Sequence, residues 1–226
     1  MSRARSISVI IPTLNEAAGL ARTIAHVRAA LPAAELVIAD GGSTDATPTI
    51  AATLGARVVP SARGRGVQLA AGAAEARGEI LLFLHADTAL PAEAAAVLER
   101  AFLSPAVQLG TFRLAFDSAH PFLRACAWLT RIDSVFTRFG DQGIVVRRNF
   151  FDRLGGFPPW PLFEDVEFLR RARRVTRIHS FPAHVTTSAR RFRQRGPLRQ
   201  QWLNARLFLR FLTGTPPETL ARLYRS

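Results

Sequence analysis

Short apolar runs alternate with helical apolar periodicities along the first hundred residues of the 226-residue chain. Runs at 7–11, 36–39, 58–59 and 80–84 predict four strands, and the last is typical of a strand buried on both faces. Between the strands, apolar side chains recur at the three-to-four-residue spacing of a helix, as in residues 20–31. Repeated β-α units of this size predict an α/β fold with a parallel, doubly wound central sheet flanked by helices.

The pattern is less regular in the second half of the chain. Alternation over 112–116 predicts an edge strand with one solvated face, and 121–138 reads as one amphipathic helix. Residues 144–146 predict a strand that returns to the sheet, whereas 164–173 and 198–212 predict helices. Neither an internal repeat nor a low-complexity linker interrupts the chain, so we expect one domain with a C-terminal extension.

The net charge of +13 is concentrated at the C-terminal end. Residues 1–165 contain 16 arginines and 15 acidic residues, whereas 166–226 contain 14 arginines and two acids, Glu167 and Glu218. The chain contains no lysine. Guanidinium groups suit bidentate contacts with phosphates. We therefore expect something anionic to meet this end of the protein.

Composition excludes several classes of protein. The single cysteine, Cys126, rules out an intrachain disulfide, and 48% hydrophobic with 21% charged residues argues against disorder. No apolar run approaches the roughly 18–20 residues of a membrane span. Residues 1–6 show no signal-peptide core. We expect a cytoplasmic protein, with a peripheral position on the inner face of the membrane as the alternative.

Polar clusters follow three of the predicted strands, at residues 12–16, 40–45 and 85–87. In an open parallel sheet, ligands bind where the carboxyl ends of the strands meet, so the three clusters should share one rim. Such a rim suits a nucleotide, because carboxylates hold base or ribose hydrogens and helix N-termini hold phosphates. A further carboxylate would suit a divalent metal.

The motifs at these strand ends resemble those of family 2 glycosyltransferases. They are VIIPTLNE at 9–16, ADGGSTD at 39–45 and FLHAD at 83–87, followed by GDQG at 140–143 and FEDVEF at 163–168. The order and spacing of the family's motifs extend over about residues 7–192. The resemblance implies a GT-A fold: a Rossmann-like, mostly parallel central sheet flanked by helices, here with a basic helical C-terminal extension.

Three segments look most similar to one bacterial subgroup of short enzymes. They are RGRGVQ at 63–68, FLHADT at 83–88 and TSARRF at 187–192. The subgroup is known as the arsenosugar-biosynthesis or radical-SAM/selenodomain-associated glycosyltransferases. We accordingly expect a GT-A catalytic domain over 1–195, with a nucleotide-binding half at about 1–104 and an acceptor half at about 105–195. A basic amphipathic helical extension would occupy 196–226.

The resemblance also implies a reaction: inverting transfer of a sugar from a nucleoside-diphosphate sugar, with a UDP-sugar favoured, to an acceptor hydroxyl. Asp165 matches the family's catalytic base. Asp87 matches the metal-binding aspartate, so a divalent metal, Mn²⁺ or Mg²⁺, is the expected cofactor. His85 replaces the other aspartate of that motif and either ligates the metal or hydrogen-bonds ribose or phosphate. Gly41 and Leu14 stand where other members contact the base, so the base stays open.

The remaining site predictions form two groups. Donor binding is expected from Pro12, Thr13, Asn15, Glu16, Asp40, Arg63, Arg65, Gln68, Ala86 and Asp87. Contact with the acceptor or the diphosphate is expected from Asp141, Glu164, Arg190 and Arg191. Glu164 is also the alternative to Asp165 as the base.

Two other functions fit parts of the sequence. The basic C-terminal quarter, residues 166–226, would suit a polyanion-binding protein or one that binds an anionic membrane surface. Residues 196–226 are the expected membrane contact, which is compatible with a lipid-linked acceptor. Nucleic acid is the less expected partner, because no recognised binding motif is present and the acidic clusters would have no role. The same sheet could also serve a sugar nucleotidyltransferase, which would release pyrophosphate rather than a nucleoside diphosphate.

Overall fold

The computed structural model describes residues 5–225, with the side chain of residue 225 left out. Most of the 1–6 stretch without a signal-peptide core lies outside the described residues. The strands are β1 (Ile7–Thr13), β2 (Glu35–Asp40), β3 (Arg57–Pro60), β4 (Ile80–Phe83), β5 (Thr88–Ala89), β6 (Leu109–Phe116), β7 (Ile144–Arg147) and β8 (His179–Thr187). The helices are α1 (Ala17–Ala30), α2 (Thr47–Thr53), α3 (Arg65–Glu75), α4 (Ala94–Leu103), α5 (Pro121–Leu129), α6 (Arg148–Arg153), α7 (Glu164–Arg173), α8 (Arg190–Arg195), α9 (Pro197–Leu212) and α10 (Pro217–Arg225).

The eight strands form one sheet in the order β3-β2-β1-β4-β7-β6-β8-β5. The first four are mutually parallel, β7 runs antiparallel to both β4 and β6, and β8 is parallel to β6. The short β5 closes the far edge antiparallel to β8. The predicted mostly parallel α/β sheet is thus confirmed, and its parallel half brings the carboxyl ends of β1, β2 and β4 to one rim.

Two apolar clusters cover the two faces of the sheet. Along β1, Val9 and Ile11 pack into the cluster that contains α1 and α4, whereas Ile10 packs into the one that contains α3 and α7. Strand β4 divides its side chains in the same way, which explains its unbroken apolar run. The helices on both faces hold the rim of strand ends at a fixed position.

The predicted edge strand at 112–116 is wrong in position. These residues belong to β6, which lies between β7 and β8, and Phe112 is completely buried. The strand with one solvated face is β8, in which burial alternates along the chain. Strand β8 is absent from the sequence predictions, so they leave β6 without a neighbour on its outer side.

The predicted helix over 121–138 is too long. Helix α5 ends at Leu129, and turns occupy the residues that follow. Thr130 donates its hydroxyl to Ala127 O at 2.6 Å, and Thr137 donates to Ile132 O at 2.5 Å. Hydroxyl groups that bond locally to backbone oxygens compete with helical hydrogen bonds, so the apolar periodicity continues past the end of the helix.

The predicted helices at 164–173 and 198–212 match α7 and α9. Helix α9 does not extend away from the domain, because its inner face packs on aromatic residues beside the rim of strand ends. Phe208 lies 5.8 Å from Phe163 between ring centroids, and Phe211 lies 4.9 Å from the same ring. Among residues 5–225, no helix is both long and apolar enough to cross a bilayer.

Candidate active site

A cavity of about 600 Å³ opens at the carboxyl ends of β1 and β4, between α7 and α9. Nine of the residues singled out from the sequence line it: Pro12, Glu16, Arg65, His85, Ala86, Asp87, Asp141, Asp165 and Arg191. They come from six separate segments of the chain. The predicted convergence of strand-end residues at one rim is therefore present in the structure.

The loops after β1 and β2 are fastened to each other beside this cavity. Asn15 donates its backbone N–H to Ser43 Oγ at 2.8 Å, and its side-chain oxygen accepts from Thr44 N at 2.8 Å. Asn15 adopts a left-handed φ of 55°, which asparagine tolerates better than most residues. The exposed Asn15 side chain thus fixes the loop that carries Glu16, and it does not line the cavity itself.

Three residues predicted to bind the donor make hydrogen bonds within the protein at the strand ends. Asp40 is buried and accepts from Thr13 Oγ1, Gly42 N, Ser43 N and Ser43 Oγ at 2.6–3.1 Å, which occupies the roughly four acceptor positions of a carboxylate. Gln68 is also buried and donates Nε2 to Thr13 O at 2.7 Å and to Ala39 O at 3.0 Å. Thr13, Asp40 and Gln68 therefore brace the strand ends and do not reach the cavity.

The turn after β4 presents Asp87 to the cavity. Thr23 donates its hydroxyl to Ala86 O at 2.5 Å, and Ser188 donates its N–H to Asp87 O at 3.2 Å. The Asp87 side chain is exposed, whereas His85 is half-buried. Burial and the nearby Arg65 charge lower the pKa of His85 to about 4, so its imidazole is neutral at pH 7.

Asp165 lies at the start of α7 with both carboxylate oxygens in contact with donors. Gly140 N donates to Oδ2 at 2.6 Å, and Arg65 Nη2 lies 3.4 Å from Oδ1. Arg65 also pairs with Glu164, which is 0% exposed and has its second oxygen, Oε2, without a hydrogen-bond partner among residues 5–225. Asp165 lines the cavity and Glu164 does not, so the geometry favours Asp165 as the group that reaches a ligand.

Phe163, the residue directly before this pair, has a strained backbone conformation. Its φ of 62° is left-handed, which costs a bulky residue about 1–3 kcal/mol. The ring lines the cavity and packs against Phe208 and Phe211 of α9. Because the strain lies directly before Glu164 and Asp165, the packing of α9 helps to fix the first turn of α7.

The cavity contains charges of both signs. Burial, reinforced by the charge of Asp165, raises the pKa of Asp141 to about 7, and Asp141 Oδ1 has no hydrogen-bond partner in the described part of the chain. Burial also raises the pKa of Glu16, against the effect of Arg190, whose guanidinium lies 3.5 Å from it. Arg191 donates to Tyr224 Oη at 2.5 Å and remains in the lining.

A match to a protein-family model decides the assignment. The model of glycosyl transferase family 2 matches residues 8–149. The chain belongs to this family. The match includes β1 to β7 and with them Asp87 and Asp141, whereas Asp165 and the α9 side of the cavity lie beyond the matched residues.

Two curated relatives illustrate the family. A low-salt glycan biosynthesis hexosyltransferase, Agl6, from Haloferax volcanii is 42% identical over 89 residues, which is 37% of this chain and 21% of that protein. Glucosyl-3-phosphoglycerate synthase from Mycobacterium tuberculosis is 35% identical over 98 residues, 38% of this chain and 30% of that one. The chain thus matches less than a third of the length of these relatives. The matches do not test the predicted bacterial subgroup.

Solved structures share the fold. The mannosyltransferase PcManGT from Pyrobaculum calidifontis, in complex with GDP-Man and Mn²⁺, aligns with a TM-score of 0.67 at 20% identity and covers 96% of this chain and 67% of its own. Glucosyl-3-phosphoglycerate synthase from Mycobacterium tuberculosis, in complex with Mn²⁺, UDP and glucosyl-3-phosphoglycerate, aligns with a TM-score of 0.56 at 22% identity over 81% of this chain and 70% of its own. These neighbours confirm the GT-A fold.

The family's metal-binding position has a limited donor set here. Residues 5–225 contain no cluster of three or more histidine, cysteine or acidic side chains able to hold a metal ion. Asp87 and the neutral His85 are the candidate ligands in the cavity. One or two protein ligands fit a hard divalent cation that takes its other ligands from substrate phosphates and water. The residues present therefore fit a metal that binds together with a diphosphate.

Two of the predicted arginines do not line the cavity, whereas a third does. Arg63 is exposed and outside the cavity lining, as is Arg190, whereas Arg65 points inward from the first turn of α3. The structure also adds residues from α9 and α10 that the sequence predictions lacked: Gln200, Asn204, Leu207, Phe208 and Tyr224. Their signal was the inner stripe of α9, which reads from sequence as ordinary core packing.

Proposed function

We propose that the protein is an inverting glycosyltransferase that moves a sugar from a nucleoside-diphosphate sugar to an acceptor hydroxyl. The observation that carries the proposal is the placement of Asp165 and Asp87 in one cavity, which Arg65 and His85 also line. The proposal includes a cytoplasmic location, which rests on the sequence alone.

Asp165 is proposed as the general base. It would take the proton of the acceptor hydroxyl while that oxygen forms a bond to the anomeric carbon, and the bond from the anomeric carbon to the diphosphate oxygen would break on the opposite face. The nucleoside diphosphate then leaves with the bonding electron pair. The contacts of Asp165 with Gly140 N and Arg65 hold the carboxylate in one orientation, which general-base catalysis requires.

Asp87, with His85 as the second candidate, would hold the divalent metal in the donor complex. A bound Mn²⁺ or Mg²⁺ supplies charge stabilisation to a departing diphosphate. Arg65 and Arg191 line the same cavity and would add positive charge near the phosphates. Because Arg65 already pairs with Glu164, its position is set before a ligand arrives.

The donor's base and sugar stay open. A UDP-sugar is the favoured donor from the sequence, and the structural neighbours include proteins in complex with UDP and with GDP-Man. Glu16 and Pro12 would contact the nucleoside, since both line the cavity beside the β1 end. Asp141 would contact the acceptor, because its unpartnered oxygen lies in the lining near Asp165.

Titration calorimetry with UDP and GDP tests the donor class, with Mn²⁺, with Mg²⁺ and with EDTA. We expect one nucleotide to bind in a metal-dependent manner, and the Asp87→Ala variant to lose that dependence. Arg100→Ala, an exposed change on α4, serves as the control that binds normally. Absence of binding to either nucleotide under all three conditions would overturn the proposal.

A product assay tests the base. Asp165→Asn should retain nucleotide binding in the calorimeter and reduce transfer by about 10²–10⁴-fold. Asparagine preserves the shape of the side chain and cannot accept the proton. Near-normal turnover of Asp165→Asn would exclude Asp165 as the base. Release of pyrophosphate rather than a nucleoside diphosphate would identify a nucleotidyltransferase instead.

A further inference from the structure

Helix α9 has a second apolar stripe that faces outward. Leu198, Trp202, Leu209 and Leu212 are all exposed, with Trp202 at 63%. Their spacing of three, four or seven residues places them on one face of the helix. The opposite face packs inward through residues that include Leu207 and Phe208. The outer stripe therefore contributes little to the core of this chain.

A second exposed apolar group lies beside it. Trp128 and Leu129 at the end of α5, with Ile132 and Phe136 in the turns that follow, are exposed. The ring of Phe136 contacts that of Phe208 at 5.8 Å between centroids. Leu129 and Phe136 also line the same cavity as Leu209 of the outer stripe, so the α5 end borders α9. We call the combined surface, 128–136 with the outer stripe of α9, the α5–α9 face.

Arginines flank the α5–α9 face. Arg131, Arg199 and Arg206 are exposed, and none of them is in a salt bridge in the described part of the chain. Arg206 lies over the ring of Trp202, 5.4 Å from its centroid. The acidic Asp133 nearby pairs with two other arginines. The surface is therefore apolar in the middle and positively charged around it.

We propose that the α5–α9 face docks on an anionic lipid bilayer. Tryptophan, leucine and isoleucine side chains would enter the boundary between headgroups and acyl chains, while the arginines contact lipid phosphates. An exposed apolar stripe on a basic helix has the composition of helices that lie in the membrane interface.

Two other occupants fit the surface less well. Nucleic acid would pair with the arginines and could stack on Trp128 or Trp202, but it offers no hydrocarbon to Leu198, Leu209 and Ile132. A second copy of this chain would bring unpaired arginines against each other at the rim of the interface. The bilayer is the partner that satisfies both the aliphatic side chains and the positive charge.

The α5–α9 face also borders the cavity that the acceptor would enter. Leu129, Phe136 and Leu209 belong to the α5–α9 face and also line the candidate active-site cavity. An acceptor anchored in the membrane could then enter the cavity without leaving the bilayer surface. This part of the inference rests on the proposed function, whereas membrane binding itself does not.

Vesicle co-sedimentation of the full chain tests the proposal. We expect binding to vesicles of 70% phosphatidylcholine and 30% phosphatidylglycerol, little binding to pure phosphatidylcholine, and weakening by salt. Trp202→Glu combined with Leu209→Glu should lower the affinity at least tenfold. Val175→Glu, a change at an exposed apolar residue outside the face, should bind as the wild type does.

The charged part of the surface is tested separately. Arg199→Ala and Arg206→Ala should each weaken binding about fivefold, whereas Arg100→Ala on α4 should not. Circular dichroism verifies that each variant folds, which the exposure of these positions favours. A blue shift of tryptophan emission on adding anionic vesicles, reduced in Trp202→Phe, would report insertion.

The proposal is overturned if anionic vesicles fail to bind, or if the Trp202→Glu/Leu209→Glu variant binds them as the wild type does. Binding to a single-stranded oligonucleotide that survives these two substitutions, without vesicle binding, would assign the surface to nucleic acid. The assay needs neither donor nor acceptor. Its failure would leave nucleotide binding untouched, and failed nucleotide binding would leave the membrane result intact.

Discussion

Glu164 makes the stability of the protein depend on pH in a direction that can be measured. The side chain is 0% exposed, and its only ion-pair partner among the described residues is Arg65. Burial raises its pKa from 4.5 to about 7, with Arg65 acting in the opposite direction. In the unfolded chain the carboxyl ionises near its ordinary pKa, so the folded state retains a proton that the unfolded state has lost.

The sign and size of the effect follow from this difference. Stability from the protonated carboxyl is fully present below pH 4.5 and is lost as the pH rises through 7. A pKa difference of 2.5 units corresponds to about 3 kcal/mol at 1.36 kcal/mol per unit. For a domain of this size, that is a decrease in Tm of roughly 6–12 °C between pH 4.5 and 8.

Urea unfolding of the wild type and of Glu164→Gln at pH 5 and pH 8 measures the pH-dependent contribution of Glu164 to the free energy of unfolding. The amide has the shape of the carboxyl and cannot ionise, so the variant should gain up to about 3 kcal/mol relative to the wild type over that interval. Comparing the change with pH removes any constant effect of the substitution. Asp141, whose pKa burial also raises to about 7, should leave part of the slope in the variant.

Glu99→Gln, at an exposed position on α4, provides the control and should leave the pH dependence of stability unaltered. If the stabilities of wild type and Glu164→Gln changed in parallel between pH 5 and pH 8, the carboxyl would have the same pKa in the folded and the unfolded chain. The inference that burial raises the pKa of Glu164 against the effect of Arg65 would then be wrong.

Two further substitutions test packing and recognition. A Cβ on Gly66 would lie 2.1 Å from Pro158 O, so Gly66→Ala should destabilise the protein by about 1–3 kcal/mol in urea unfolding. Gly19→Ala, in open space on α1, should be neutral or stabilising. Equal stabilities of the two variants would contradict the close approach of Gly66 to Pro158. Gln200 is 1% exposed and lines the cavity, with Nε2 donating to Asn204 Oδ1 at 2.8 Å and Oε1 without a hydrogen-bond partner within 5–225. Gln200→Leu should increase the KM for the acceptor, unlike the exposed Gln194→Leu. An unchanged KM would exclude Gln200 from acceptor recognition.

The part of the site predicted from the sequence is the part fixed by strand ends. Asp87 follows a strand whose apolar run has no ambiguity, and Glu16 follows another, so parallel pairing alone brings them to one rim. Which of two neighbouring residues faces the cavity is harder to predict from the sequence. Arg63 and Arg65 differ in direction because the backbone turns at Gly64, whose φ is 147°. The local sequence does not specify the direction of the chain after that turn.

Glu164 and Asp165 show the same limit at the start of a helix. Consecutive residues on a helix point about 100° apart, so one carboxyl faces the interior and the other the cavity. Which of the two carboxyls faces the cavity depends on the direction that α7 takes after Phe163. Strand β8 was missed for another reason: its alternating burial pattern contains Pro182, and a proline inside an apolar run argues against a strand unless the strand is near a sheet edge, as β8 is.

Helix α9 contributes to both the candidate active site and the proposed membrane-binding surface. Composition separates residues 196–226 as a basic extension, yet the inner face of α9 packs Phe208 and Phe211 on Phe163, whose left-handed backbone begins the turn that carries Asp165. The outer face of the same helix carries the exposed apolar stripe. Substitution of Trp202, which is exposed on the outer face and outside the cavity lining, leaves those ring contacts in place, so it should alter membrane binding and spare nucleotide binding. Substitutions at Phe208 act on the inner face and should disturb the position of the proposed base.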